Sequence, residues 1–344
     1  MLGNLETHFD SAPPDWNEIV CRLDGSIYHS TAWADYEKTR NGARPIYLLT
    51  RDSGGEAIAG TLAFLNQSKQ PLISWMSRVL HLPAHPFVRK DRAASESTSM
   101  IGLCEKLARR LGCNKIAMDS FLSGHSGIIP ADLGYAERQR IEFCVDLTMS
   151  LDEVWKGVKK DHRERIRRLK REDIRIEVAT ARADLEVLKS AREMTRERRE
   201  EKGQTYEVEH SAELYDRLQD ELMGRGLVRL LIAKRENEVL GSICFLTFNR
   251  RANSIFSGST GAGYKMGVQA LLFWSAVEAF KSDGFRELNR GGVPAAAAQE
   301  SDALHGIYRF KSRLGTTPLH CRSGEKILRP WVHRISRLRH TLRH

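Results

Sequence analysis

The stretch from Ser254 to Lys281, SIFSGSTGAGYKMGVQALLFWSAVEAFK, sets the tightest limit on what this chain can fold into. From Val268 onward it is apolar on nearly every side, through Leu271, Leu272, Phe273, Trp274, Val277 and Phe280. A helix of that composition has no polar face to give to water, so it must be pressed against a sheet. Ahead of it, Ile255 and Phe256 read as a short strand, and Ser257 to Gly263 as a glycine-rich turn. Strand, turn and buried helix in this order aim backbone N–H groups at an anion. The turn is therefore a candidate donor-binding site, drawing on Ser257, Gly263, Tyr264, Lys265 and Gly267. The plainer alternative is that its glycines only turn the chain.

A second feature is duplication. Pro45–Thr50 and Ala57–Leu65, joined by Asp52-Ser53-Gly54-Gly55, read as a hairpin, and Leu227–Ala233 with Val239–Leu246 repeats it. Gly241 falls where Gly60 falls. A helix near Ser99–Leu111 ends at Gly112 before the strand Lys115–Met118, as the buried helix ends at Gly284 before Arg286–Asn289. Hairpin, helix, glycine and strand in one repeated order point to two copies of one α+β unit, and 344 residues suffice for two cores. The expected division is 1–145, 146–328 and a basic amphipathic helix 329–344. Ser150 with Glu153 is a capping box that opens the second copy. The helix it starts is expected to run to about Arg171, with strand Ile174–Val178 and charged helices at Ala183–Lys202 and Ser211–Met223 behind it. Ser30 or Thr31 caps a short helix carrying Trp33 and Tyr36.

Charge and composition narrow the function. The net charge of +10 asks for an anionic partner: a phosphorylated cofactor, a nucleotide-linked substrate, nucleic acid or an acidic membrane. Six cysteines without a C-x-x-C pair and twelve histidines without metal-ligand spacing offer no metal site. No run approaches the roughly 18 apolar residues of a membrane span, and no basic-then-apolar start marks a signal peptide; the expected location is cytoplasmic. In the tail, Trp331, Ile335, Leu338 and Leu342 share one helical face among arginines. Such a face either packs on its own domain or meets RNA phosphates or an anionic membrane.

Particular residues carry a resemblance. They are His29-Ser30-Thr31-Ala32-Trp33, the Trp155 helix running into Arg163–Arg168, Ser257-Gly258, Leu271–Val277, and above all Gly306-Ile307-Tyr308-Arg309-Phe310-Lys311. With the duplicated unit, these resemble the GNAT acyltransferase fold, and more closely its FemAB-like branch of two such domains in tandem. That branch includes peptidyltransferases that add bridge amino acids to peptidoglycan precursors, and relatives classed as acetyltransferases. The chain departs from the pattern in places. Tyr264-Lys265-Met266-Gly267-Val268-Gln269 keeps only the middle glycine of a Q/R-x-x-G-x-G/A pyrophosphate loop. Asn289-Arg290-Gly291-Gly292 stands where an acidic residue often precedes paired glycines, so no general base carries over. No heptad repeat supplies a coiled-coil arm.

The resemblance implies two tandem GNAT-like domains and acyl transfer from a thioester or aminoacyl ester to an amine, giving an amide. It implies acyl-CoA as donor, or aminoacyl-tRNA as the alternative, and a small-molecule or cell-envelope precursor amine as acceptor. Lys311 maps onto the family's Phe-Lys pair as the group that stabilises the oxyanion, with the Phe310 carbonyl near the nucleophile. The acceptor side would draw on His29, Trp33, Tyr206, Tyr308 and Arg309. The competing readings are plain ones: Trp33 as core, His29 as a capping partner, Tyr206 as a loop anchor, and Lys311 with Arg309 as surface cations. A non-enzymatic module binding nucleic acid or a membrane surface through its basic helices is the remaining alternative.

Overall fold

Both hairpins foreseen in the sequence form, because each pairs β-branched and aliphatic strands across a short polar turn. The computed structural model describes residues 5–68, 70, 74–89, 93–179, 182–201, 203, 212–332 and 334. Its contacts divide the chain into one unit of residues 1–140 with 320–344 and another of residues 141–319.

In the first unit, β1 (Leu5–Phe9), β2 (Arg44–Arg51) and β3 (Ala57–Asn66) are antiparallel neighbours. β4 (Val79–Leu82) follows antiparallel to β3, and β5 (Phe87–Val88) pairs with the other end of β3. β6 (Lys115–Met118) lies parallel to β4, from Val79 opposite Lys115 to Leu82 opposite Met118. Beyond β6 comes the end of β13 (Thr317–Ile327), antiparallel, with Gly324 opposite Met118. The helix Ala93–Arg110 begins earlier than its apolar spacing suggests. It sets Met100, Ile101, Cys104 and Ala108 on Leu48, Leu80 and Ile116. Met100, Ile101, Leu48, Leu80 and Ile116 each contribute about 1.5–3 kcal/mol by leaving water.

The second unit continues from Ile141 in β7 (Ala136–Asp146). It holds β8 (Ile174–Ala179), β9 (Val228–Arg235), β10 (Glu238–Phe248), β11 (Arg251–Ser259) and β12 (Glu287–Pro294). Their order is β7-β12-β11-β10-β9-β8. All the registered pairs from β8 to β11 are antiparallel; β11 and β12 run parallel. The helix Val268–Ser282 is buried against Leu231, Leu240, Ile243 and Phe245, as its unbroken apolarity requires. On its other side the helix Lys160–Arg171 contributes Ile166 and Leu169 to the same core.

The single helix expected from Leu151 to Arg171 is two, Leu151–Gly157 and Lys160–Arg171. Val158 turns extended to form a bridge with Leu314, and the Lys159 N–H donates to the Arg313 carbonyl. Gly157 lies so close to Gly315 that a Cβ on it would stand 3.3 Å from the Gly315 Cα. Apolar spacing alone does not register such a break, since both halves keep one phase.

Candidate active site

The turn after β11 is more structured than a loop. Thr260 accepts from the Gly263 N–H at 3.2 Å and caps a short helix, Gly261–Met266. Gly263 faces β10 so closely that a Cβ would fall 1.8 Å from the Leu240 carbonyl oxygen. Gly267 then takes φ +74°, a left-handed conformation suited to glycine, and the chain restarts as the buried helix. No side chain caps that second start, so its first N–H groups form the positive end of the helix dipole.

Three arginines from two other helices converge there. Arg165 lies against Gly267, its Cδ 2.6 Å from where a Cβ would stand. Arg168 donates to the Met266 carbonyl at 3.2 Å. Arg198, from the helix Ala183–Glu200, donates to the Ser259 carbonyl at 3.2 Å, and its guanidinium sits 4.5 Å over the Tyr264 ring. Burial lowers the Arg198 pKa from its ordinary value. Lys265 and Tyr264 are exposed beside it. Cations, glycines and a helix start together make an anion cradle.

The second half of the site is a parting of strands. β11 and β12 pair only from Arg251 opposite Glu287 to Asn253 opposite Asn289. Immediately beyond, Arg290, only 5% exposed, reaches across the parting. It donates to Ser254 Oγ at 3.0 Å and to Gln269 Oε1 at 3.2 Å. Gln269 in turn donates to the Gly258 carbonyl at 2.8 Å and the Ser242 carbonyl at 3.1 Å. Its side chain is thus turned into the sheet and not over the Gly267 cradle. Gly291 takes φ +76°, and its N–H donates to Asn289 Oδ1 at 2.7 Å, while Asn289 Nδ2 donates to the buried Glu142 at 2.8 Å. This bend presents the Gly292 carbonyl to Lys311 Nζ at 3.1 Å. Lys311 belongs to the helix His305–Ser312 and is half-buried. A Cβ on Gly291 would stand 3.1 Å from the Ser254 carbonyl and 3.5 Å from Lys311 Nζ. A lysine ammonium is therefore held at the point where β11 and β12 part.

The other expected residues are placed as follows. Phe310 is half-buried, its ring edge-on to His162 at 5.3 Å, and burial lowers the His162 pKa. Tyr308 packs on Phe143 at 5.5 Å, and Arg309 is exposed. Ser257 is half-buried on β11, opposite Ile243 of β10. His29 lies in the core of the first unit, where Nδ1 accepts from the Ser26 N–H at 3.2 Å and Nε2 is 3.0 Å from the His85 carbonyl. Trp33 lies between Tyr28, which it meets edge-to-face at 4.8 Å, and Tyr36, tilted at 5.0 Å, in the same unit. Tyr206 and the tail beyond Arg334 lie outside the described residues. The sequence reading missed Arg165, Arg198, Arg290 and Glu142 as parts of this site. Arg165 stood in the basic stretch that carries the resemblance, and Arg198 in a highly charged helix, with no local signal tying either to Gly267. Glu142 had no local signal at all.

Among the described residues no group of three or more His, Cys, Asp or Glu is placed to hold a metal ion, and no helix is long and apolar enough to cross a membrane. The doubled α+β unit, the parting strands and the cradled helix start define the class, an acyltransferase fold. Residues 156–312 match the family model described as an acetyltransferase (GNAT) domain. That segment contains the cradle, the parting and Lys311. Among solved structures the chain is similar to FemX, with a TM-score of 0.76 and 12% identity over 96% of this chain and 99% of that one. It is also similar to L-PGS from Bacillus licheniformis, with a TM-score of 0.54 and 15% identity over 94% of each chain. A tandem GNAT protein from the clavulanic acid biosynthesis pathway gives a TM-score of 0.53 and 14% identity over 94% of this chain and 98% of that one. No curated protein matches the sequence. Residues 156–312 thus carry a GNAT domain, and the chain as a whole has the tandem fold of FemX and the clavulanic acid pathway protein.

Proposed function

We propose that the chain is an N-acyltransferase that joins an activated acyl group to an amine at the parting of β11 and β12. The observation that carries this reading is Lys311, whose ammonium is held 3.1 Å from the Gly292 carbonyl. In the reaction the amine nitrogen attacks the donor carbonyl carbon, a C–N bond forms, and the oxygen takes up negative charge. The C–S or C–O bond to the carrier then breaks; the amine's proton is lost, and the leaving sulfur or oxygen takes one up. Lys311 stabilises the oxyanion, the role worth about 10²–10³ in turnover when one donor is removed. Tyr308 and Arg309, on the same helix, flank the acceptor, which the resemblance implies is an amine on a cell-envelope precursor.

For the donor, the GNAT domain match supports an acyl-CoA, and the cradle fits its phosphates through Arg165, Arg168, Arg198 and Lys265. The arm joining phosphate to thioester carries two amides, which need a free sheet edge to pair with when buried. On β11 the Gly258 carbonyl already accepts from Gln269, and the Arg290 side chain, bonded to Ser254 Oγ, stands beside the strand. This observation favours the second reading, an aminoacyl ester on tRNA, whose phosphates the exposed Lys160, Arg167, Arg168 and Arg171 would meet. Labelled acetyl-CoA and charged tRNA, each offered to the pure chain with amine acceptors, separate the two. Product from acetyl-CoA supports the first; product from charged tRNA alone supports the second. Failure of both, or turnover untouched in a folded Lys311→Ala variant, ends the proposal.

A further inference from the structure

We infer that the first unit carries a docking surface for an anionic lipid interface, centred on Trp75, Trp331 and Arg329. Tryptophan is costly to expose, yet Trp75 is 40% and Trp331 55% exposed. Their ring centroids are 6.2 Å apart, and the Arg329 guanidinium lies over both, 5.9 Å from the first and 5.2 Å from the second. Ile327, at the end of β13 leading to this cluster, is 41% exposed. Beneath them the support is firm. Val332 and Leu328 are buried, the Leu328 N–H donates to the Asn114 carbonyl at 2.7 Å, and Asn114 Nδ2 donates to the Trp75 carbonyl at 3.3 Å.

The surroundings are cationic. Arg78 donates to the Leu111 carbonyl, Arg109 to the Leu328 carbonyl and Arg329 to the Gly112 carbonyl. All three side chains are tied to backbone oxygens around the C-terminus of the helix Ala93–Arg110, and their positive charge is not cancelled by an ion pair among the described residues.

Paired indole rings beside fixed cations match the chemistry of a headgroup layer, where Trp sits at the boundary and arginine meets phosphate. An RNA surface fits less well. Stacking a base needs an open ring face, whereas Arg329 already lies over both rings, and an exposed aliphatic such as Ile327 has nothing to gain from a nucleotide. The inference does not depend on the acyl donor or on the proposed reaction.

The test is co-sedimentation of the full chain with vesicles of phosphatidylcholine, with and without phosphatidylglycerol, at low and high salt. The expected result is capture by the phosphatidylglycerol vesicles that weakens with salt, with a blue shift of tryptophan emission. Trp75→Ala with Trp331→Ala should lower partition by about tenfold or more, given the apolar ring area no longer removed from water. Arg329→Gln should lower binding to the charged vesicles and leave the neutral ones unchanged. Circular dichroism and the melting temperature show that each variant is folded; Trp331→Ala alone serves if the double variant is not. No capture by charged vesicles, or capture that survives loss of the rings, overturns the inference. So does a short RNA whose retention depends on the two rings while vesicle binding does not.

Discussion

The two units carry the same parallel strand pair and treat its end differently. In the first, β4 and β6 pair from Val79 to Leu82 and stay closed beyond it: the Asp119 N–H donates to the Leu82 carbonyl, and Asp119 meets His81 at 2.9 Å. In the second, β11 and β12 part after Asn253, and the gap receives Arg290, Gln269 and Lys311. The helices differ in the same sense. Ala93–Arg110 has Glu96 in its first turn, whereas Val268–Ser282 has no acidic residue there and faces Arg165 across Gly267. A repeated scaffold thus offers the proposed site only in the copy where strands part beside a bare helix start.

The glycines offer the hardest test of that difference. Gly263→Ala would drive a Cβ into the Leu240 carbonyl backbone, so it should cost more than about 4 kcal/mol and collapse the cradle. Gly60→Ala in the first unit meets the Phe87 ring first and the Leu48 carbonyl only at 3.0 Å, so it should cost less, about 1–3 kcal/mol. Equal losses in urea unfolding would remove the distinction.

Lys311→Ala should lower turnover about 10²–10³-fold with little change in folding stability. Asn289→Leu breaks the link from Glu142 to the Gly291 bend and should lower turnover by a smaller factor through Lys311 placement. A kcat loss in Asn289→Leu as large as that in Lys311→Ala would argue for a direct role of Asn289 instead.

Acid should weaken the first unit through His85. Burial pushes its pKa down to about 4, against the opposing pull of the bond to the Arg322 carbonyl. The unfolded chain, with an ordinary histidine near 6.5, binds the proton that the folded state refuses. The stability is thus present above pH 6.5 and is lost as pH falls toward 4, on the order of 3 kcal/mol in all. His85→Asn should flatten that slope in urea titrations at pH 7 and pH 5; an unchanged slope would place the acid sensitivity elsewhere.

The smallest effects come from matched caps. Ser30→Ala removes the acceptor for the Trp33 N–H in the first unit, and Thr260→Ala the acceptor for the Gly263 N–H in the second. Each should cost about 1–2 kcal/mol, but only Thr260→Ala should raise the KM for donor. A KM change in both variants would show that the first unit shares in donor binding.

Local and periodic signals in the sequence were enough for both hairpins, the buried helix and the capped starts at Ser30 (or Thr31) and Ser150, whereas the turn expected over 257–263 is the end of β11 followed by a short helix. Each of the former is written in residues within one or two turns of one another. The sequence read as one helix what Val158 splits in two, because the bridge to Leu314 spans far more chain than any periodicity samples. The same holds for the site. Arg165, Arg198, Glu142 and Arg290 join the candidate site only when separate helices and strands bring them to Gly267 and Lys311. The return of residues 320–327 to β6 is of this kind too, with Gly324 set opposite Met118. Composition and spacing determine which segments bury a face; which distant charges then meet at that face depends on sheet order, and only the folded chain decides it.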